Sequence, residues 1–512
     1  VSLPLLLLLA ATPAGVVVVA PPEPAGSLSP QPWIAQTVAD GLPRALGLLG
    51  VPAVERSDRL RAQEALGVPA ASPTSRATSI RLSEALGATR LLVGTYELTG
   101  PQLRLSLRLL DVEQAALTAP FIAIGPLEGL GDLIHALAWD IALSGPSPPS
   151  VTREQFQALR RPVPFEALRA YGEGLAAPDP DARLKLFQNA LALDTGYPEA
   201  LLALGRTQLE TRDFAAALDT FARVAGASPH ARSARFLRGV ALLQLGRYRE
   251  AAELSAALER EEPTPGALSN QAAALLRLKS ASPRASAVFR RAVDLEPSST
   301  DLPFNLGFAL LVEGDGEASA FWLRGVVENE PRDNQARLLL SWALRKAGRE
   351  AQADEEWKAL SAVTSSYEGL EAPDLSRRFE RIQTSERALL LDVERRSDAE
   401  LAATHVARAG ALAEAGNLEG AEAELVRAAY LDPHAPRVHL LLARAQRRRG
   451  EREKAVGELR MSLWCRDDEA VRLELAVLLK EMGRETEART EARRVLETEP
   501  SNEAARKLAA GS

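Results

Sequence analysis

The chain of 512 residues is 46% hydrophobic and 25% charged, an ordinary folded composition with room for several domains. A formal net charge of −7 leaves no basic footprint, which argues against nucleic acid as a partner. Cys465 is the single cysteine, so no intrachain disulfide forms and the redox compartment cannot be read from cysteine usage.

The opening, "VSLPLLLLLAATPAGVVVVA", has the apolar core and small residues of a secretory signal. It predicts a signal peptide over 1–15, a mature start near Gly15 or Val16, and a periplasmic or cell-envelope location. No Lys or Arg precedes the run, and the competing reading is a buried N-terminal helix or strand at Leu5 to Leu9. Two apolar runs broken by "ATPAG" fall short of the roughly 20 unbroken apolar residues of a membrane-spanning helix, so no stable span is expected.

Residues 16–145 alternate between strand and helix patterns. "VVVVA" predicts a buried strand, "PWIAQTVADGLPRALGLL" a helix, "PAVERS" a second strand and "TSIRLSEALG" another helix. In "ATRLLVGTYELTGPQLRLSLRLLD", Leu103, Leu105, Leu107 and Leu109 alternate with Arg104, Ser106 and Arg108, the period-two mark of a strand buried on one face. Gly100-Pro101 supplies the hairpin turn, "ALTAPFIAIG" a third meander strand, and "LEGLGDLIHALAWDIAL" a closing amphipathic helix. With Leu86-Gly87-Ala88, Val93-Gly94 and the Leu103 to Val112 strand, this region resembles the amino-terminal domain of TolB and the FlgO and CsgG type of envelope domain. That resemblance implies a small α/β domain of cell-envelope proteins, often fused to repeats. Any ferredoxin-like α/β domain of the same strand order is the plainer alternative.

"SGPSPPS", Ser144 to Ser150, reads as a proline-rich spacer, and residues 146–163 are taken as the linker. Beyond it Pro229, Pro263, Pro297 and Pro331 recur at an interval of 34 residues. In that register six units start at Pro164, Pro198, Arg232, Gly266, Thr300 and Asn334, covering 164–362. Position 8 is small (Gly205, Gly239, Ala273, Gly307, Ser341), as is position 20 (Ala217, Ala251, Ala285, Ser319, Ala353), which lets two helices approach closely. Position 24 is bulky (Phe187, Phe221, Phe289, Leu323, Trp357), with Ser255 the exception. Three more units start at Ala402, Pro436 and Glu469 and, with a capping helix, fill 401–511. Period, small residues and prolines together resemble the tetratricopeptide repeat family. The resemblance implies an α+β protein overall: a small α/β domain followed by an all-α solenoid, a right-handed superhelix of helix hairpins whose groove binds proteins or peptides. Residues 363–400 are expected to be a helical connector, with one long helix from Asp374 to Val393.

Motifs for chemistry are missing. No phosphate-binding loop, dinucleotide fingerprint, nucleophile elbow or zincin signature occurs, and the histidines lack metal-ligand spacing. Catalytic, cofactor and metal residues are accordingly predicted to be none, and Cys465 to be a buried structural thiol. The groove expected from the resemblance is apolar and aromatic. Phe236, Phe304, Phe308 and Trp342 line it, bordered by Arg206, Arg277 and Arg345, the residue types in which interface centres are enriched. The carboxylate-clamp pattern of chaperone-tail binders is lacking, since position 5 reads Leu202, Phe236, Asn270, Phe304 and Leu338. Two states of this groove are open at this point: an exposed docking patch, or a surface already covered by superhelical winding or by the 374–393 connector. The function expected is a non-enzymatic scaffold or adaptor of the cell envelope binding protein or peptide partners, with no nucleic acid and no cofactor. The alternative is a cytoplasmic tetratricopeptide regulatory protein that assembles or senses a signalling complex.

Overall fold

The computed structural model describes residues 16–25, 30–68, 76–112, 116–145, 148–279, 284–297, 299–370, 374–386, 393–414 and 416–510. The proposed signal segment lies outside them. They fall into two compact units, the first running to Gly246 and including Val393, and the second comprising the described residues from Arg247 to Glu386 and from Glu394 onward.

The first unit contains β1 (Val17–Val19), β2 (Glu23–Pro24), α1 (Pro32–Leu48), α2 (Arg56–Ala65), α3 (Arg76–Ala85), β3 (Arg90–Thr99), β4 (Gln102–Asp111), β5 (Phe121–Pro126), α4 (Leu130–Leu143) and α5 (Arg153–Ala158). The sheet order is β1-β3-β4-β5, with β1 and β2 parallel to β3 and the β3-β4-β5 meander antiparallel. The alternation read in β4 is observed: Leu103, Leu105 and Leu107 are buried under α1 and α4, while Arg104 and Arg108 are exposed. Gly100, at φ 60°, takes the left-handed conformation that a two-residue hairpin loop demands of its first residue. A smaller cluster of Val18, Ala88, Leu91 and Leu110 occupies the other face.

Two expectations are corrected here. "PAVERS" is not a strand: Ala53 makes one isolated bridge to Val17, and α2 begins at Arg56. Asp58 in its first turn suits the positive end of the helix dipole, and the segment has no alternating apolar face for a sheet to bury. The proline-rich stretch before the repeats is not only a spacer. It carries α5, whose Thr152 and Gln155 form a reciprocal capping box. Phe156 of α5 is buried in the sheet domain's core, stacked on His135 and Trp139.

The repeats of the first unit are α6 (Phe165–Ala176), α7 (Pro180–Leu193), α8 (Pro198–Glu210), α9 (Phe214–Ala222) and α10 (Ala231–Gln244). Helix α6 packs on α1. The Trp33 ring meets Phe165 edge-on at 6.2 Å, the Tyr171 hydroxyl donates to Asp40 at 2.8 Å, and Gly172 sits so close that a Cβ would run into the Thr37 hydroxyl and the Trp33 carbonyl.

The second unit holds α11 (Tyr248–Glu261), α12 (Pro265–Leu278), α13 (Ala285–Leu295), α14 (Asp301–Glu313), α15 (Gly316–Asn329), α16 (Asn334–Lys346) and α17 (Glu350–Ser361). A second run follows: α18 (Val393–Glu414), α19 (Leu418–Leu431), α20 (Pro436–Arg448), α21 (Arg452–Cys465), α22 (Glu469–Glu481), α23 (Glu485–Thr498) and α24 (Glu503–Ala510). The small residue at position 8 has a direct cause, because a Cβ added at Gly205 would collide with the Phe221 ring and one at Gly307 with Leu323. These two hairpins thus seat their position-24 side chain on their own position 8, whereas in the first repeat Phe187 sits on Gly174 instead. A second regularity is polar. Arg337–Glu356, His405–Glu424, His439–Glu458 and Arg472–Glu491 each join position 4 to position 23, with separations of 2.6–2.8 Å. Between the two runs, residues 374–386 contain turns and extended backbone where a long helix was expected.

The two runs of the second unit also meet side to side. The Arg290 guanidinium of α13 caps the Leu463 carbonyl at 2.8 Å and that of Trp464, and His434 stacks on Trp322 of α15 at 4.5 Å.

Because α1 and α6 share one core, Gly172→Val should destabilise the first unit by about 1–3 kcal/mol through overpacking, measurable as a lower urea midpoint at unchanged m-value. An unaltered midpoint would show that α6 is not held against α1 in solution.

Candidate peptide-binding groove

Helices α12, α14 and α16, the first helices of three successive hairpins, line a groove in the second unit. Their side chains arise from register. Phe304 and Phe308 lie four residues apart on one face of α14, and Trp342 occupies on α16 the position that Phe308 holds on α14. All three are completely buried. They are not an exposed patch, because residues 379–386 of the same chain cross them as an extended strap.

The Phe379 ring stands edge-on between Phe308 and Trp342, at 5.5 and 5.7 Å. Glu380 accepts a fork of hydrogen bonds from Arg277, with Nε to Oε1 at 2.8 Å. The same guanidinium also donates to the Ser376 and Arg377 carbonyls at 3.1 and 2.8 Å. The Arg381 guanidinium lies 3.7 Å from the Phe304 ring centroid and pairs with Asp301 at 3.0 Å and with Asp333. The Trp342 indole N–H donates to the Leu370 carbonyl at 3.0 Å.

Two asparagines hold the strap's main chain. The Asn305 amide donates to the Arg381 carbonyl at 2.8 Å and accepts from the Arg381 N–H at 2.7 Å. One hairpin earlier, Asn270 does the same for Gln383, at 2.8 and 2.9 Å. At the far end the Gly266 N–H donates to the Glu386 carbonyl at 2.9 Å, and a Cβ on Gly266 would run into the Ser385 carbonyl. Residues 381 and 383 present their main chain to the same side, as alternate residues of an extended strand do. The strap therefore runs from α16 toward α12, against the order of the hairpins.

Of the predicted groove residues, the structure brings Phe304, Phe308, Trp342 and Arg277 together around the strap. Arg345 instead pairs with Asp354 of α17 at 3.1 Å. Phe236 is buried on α10 of the first unit, and Arg206, on α8, lines a cavity of about 620 Å³ there. The sequence reading missed Asn305 altogether and noted Asn270 only as a departure from another pattern. The available signal was an amide at two successive hairpins among otherwise apolar groove positions.

The cavity of the first unit is walled by paired charges. Arg44 holds Asp40 at 2.6 Å and lies 3.7 Å from Glu199, His230 lies 3.5 Å from Glu199, and Arg183 pairs with Glu210 at 2.6 Å. Burial by itself would raise the Glu199 pKa, but Arg44 and His230 outweigh it and hold the carboxyl at about 2. Burial lowers the pKa of Arg206, against the pull of Glu55 and Asp58.

For chemistry of other kinds, Cys465 is buried and burial raises its thiol pKa. Among the described residues no group of three His, Cys, Asp or Glu is placed to hold a metal ion, and no helix is long and apolar enough to cross a membrane.

The tetratricopeptide repeat family model matches residues 175–231, 202–267 and 236–299. Residues 175–299 thus carry tetratricopeptide repeats, modules that generally mediate protein–protein interactions. Similar solved structures include a tetratricopeptide repeat protein from Parabacteroides merdae, 14% identical with a TM-score of 0.34 over 55% of this chain and 98% of that one. YrrB, a repeat protein described as having an unusual peptide-binding site, is 16% identical with a TM-score of 0.30 over 35% of this chain and 93% of its own. The C-terminal domain of LpoB from Salmonella enterica is 19% identical with a TM-score of 0.19 over 23% and 86%. No curated protein sequence matches the chain.

Two outcomes follow from this geometry. Trp342→Ala should cost about 3–5 kcal/mol of stability, as expected for truncating a buried aromatic side chain, read by urea denaturation; a near-neutral change would mean that the strap does not cover it. Glu199 sits below its ordinary value of 4.5, so its contribution is complete above that pH and is lost as pH falls toward 2. Glu199→Gln should flatten the acid arm of the stability profile in that window, read by urea denaturation at a series of pH values.

Proposed function

We propose that this protein is a non-catalytic adaptor whose second repeat unit clasps an extended protein segment in the α12-α14-α16 groove. One observation carries the reading: Asn270 and Asn305 each donate to and accept from the main chain of one strap residue. An extended segment laid across helices has no sheet partner, and amides buried without partners are costly. Paired side-chain amides satisfy those groups whatever side chains the segment carries, which is what a peptide-accepting surface requires. The aromatic floor adds apolar burial, and Arg277 with Asp301 and Asp333 adds charge selection.

Export belongs to the same proposal. It is supported by the leucine run of the opening residues and by the resemblance of the sheet domain to envelope modules, and it places the adaptor in the cell envelope. Sequencing the amino terminus of protein recovered from cell fractions tests it. A chain starting near Gly15 or Val16 outside the cytoplasm is expected, and an intact leucine run on cytoplasmic protein would favour a cytoplasmic regulator.

The groove itself is tested with Arg381→Ala in the full-length protein, which withdraws the strap's guanidinium from Phe304 and both aspartates. Panned against displayed random peptides, this variant should enrich extended segments whose binding disappears when Asn270 and Asn305 are also changed to alanine. Enrichment that ignores the asparagines, or no enrichment from a variant that keeps its helical circular dichroism, would remove the groove as the docking site.

A further inference from the structure

The strap meets the groove through distinct chemistries in a fixed order. An aromatic ring fills the slot between Phe308 and Trp342. The next residue is a carboxylate on Arg277, and the next an arginine on Phe304, Asp301 and Asp333. Two residues further, Asn270 grips main chain only, and at Gly266 there is room for backbone and nothing more.

These subsites are poorly suited to water. Phe304, Phe308 and Trp342 would form an apolar patch across two hairpins, and such patches on soluble proteins mark binding sites. Under the strap the Arg277 and Asp333 side chains are only 13% and 9% exposed, so a segment lying there without matching charges would leave both buried beside apolar rings and short of a charge partner. The groove therefore needs an occupant, and the occupant's chemistry is dictated from both sides: aromatic, then acidic, then arginine, in extended conformation and antiparallel to the hairpins.

Building on the peptide-groove reading above, we infer that the partner is a protein segment with this aromatic–acidic–arginine order, and that residues 379–386 are its intramolecular stand-in, so that strap and partner exclude each other. The asparagine clamps set the spacing and the charged pair sets the register. Reversing or shifting the order puts a carboxylate on Asp301 and Asp333, or an arginine on Arg277, and like charges at those distances repel. A freely sliding, sequence-blind peptide is thereby disfavoured.

The test uses the full chain and a fluorescent peptide, "SRRFERIQTSE", matching residues 376–386. Phe379→Ala/Arg381→Ala should bind it at least tenfold more tightly than the unaltered protein, whose own strap competes. Exchanging the glutamate that follows the peptide's phenylalanine with the arginine next to it should weaken binding at least tenfold. Equal binding of peptide by the variant and the unaltered protein overturns the competition. Equal binding of both peptides, still lost when Asn270 and Asn305 become alanine, overturns the sequence order while leaving the peptide groove intact. No binding of any peptide, to a variant that retains its helix signal, overturns the groove reading as well. If the double variant does not fold, hydrogen exchange on the unaltered protein decides: excess peptide should remove protection from the Arg381 and Gln383 amides, and undiminished protection overturns the exchange of strap for partner. Light scattering at the same concentrations covers a remaining occupant, since a dimer that disappears on changing Phe379 would assign the groove to a second copy's strap and overturn the proposal.

Discussion

Everything about the second unit's groove depends on satisfying the main chain of a strand that has no sheet to join. A strap lying on helices must find donors and acceptors among side chains, and an unmet buried amide or carbonyl costs about 1–3 kcal/mol. Asn270 and Asn305 remove that cost at alternate residues, and Gly266 contributes a main-chain N–H at the end. With the backbone satisfied, the strap can bring Phe379 against Phe308 and Trp342 and complete the largest core cluster of the unit. Without the amides, the same aromatic floor would be an uncovered patch. The polar clamp is thus what makes the apolar burial possible.

The charged residues of the strap follow the same logic. Buried ion pairs contribute little net stability once desolvation is counted, yet losing one partner is costly. Arg277–Glu380 and Arg381–Asp301/Asp333 are therefore better understood as devices for alignment than as sources of stability. The ion pairs between positions 4 and 23 do a comparable job inside individual hairpins, tying a hairpin's two helices together at one height. Where histidine takes the cationic place, at His405 and His439, the pair keeps its geometry with a ring nitrogen in place of a guanidinium.

In the first unit, tertiary packing merges what composition separates. The sheet domain and the first repeat helices share a core through Trp33, Phe156 and Phe165, so a short proline-rich stretch does not make a structural boundary there. Charges caught beside that junction are accommodated by pairing, as the low pKa of Glu199 between Arg44 and His230 shows. The two units thus solve burial differently. One places a sheet against helices, and the other folds a strap across its own hairpins.

Repeat positions could be read directly from the sequence, because one hairpin imposes the same local demands every 34 residues: a small residue at 8, a bulky one at 24 and a proline to end the second helix. The β4 strand was equally legible, since a sheet face buried on one side enforces strict alternation. Register alone also put Phe304, Phe308 and Trp342 on one surface. Whether that surface was open depended on residues 374–386, whose charged, periodic pattern read as helix. Local propensity is a weak prior that tertiary context overrides, and here the override came from Asn305 and Asn270, 76 and 113 residues away in the chain. Amides at two successive hairpins, at position 5 in one and position 6 in the next, are only a faint signal, and their meaning exists only once a distant segment arrives in extended form. The sequence by itself determined the hairpins and the face they present, because those follow from contacts within one repeat. Only the tertiary structure decided that the face is occupied, because hydrogen bonds between distant segments leave no pattern along the chain.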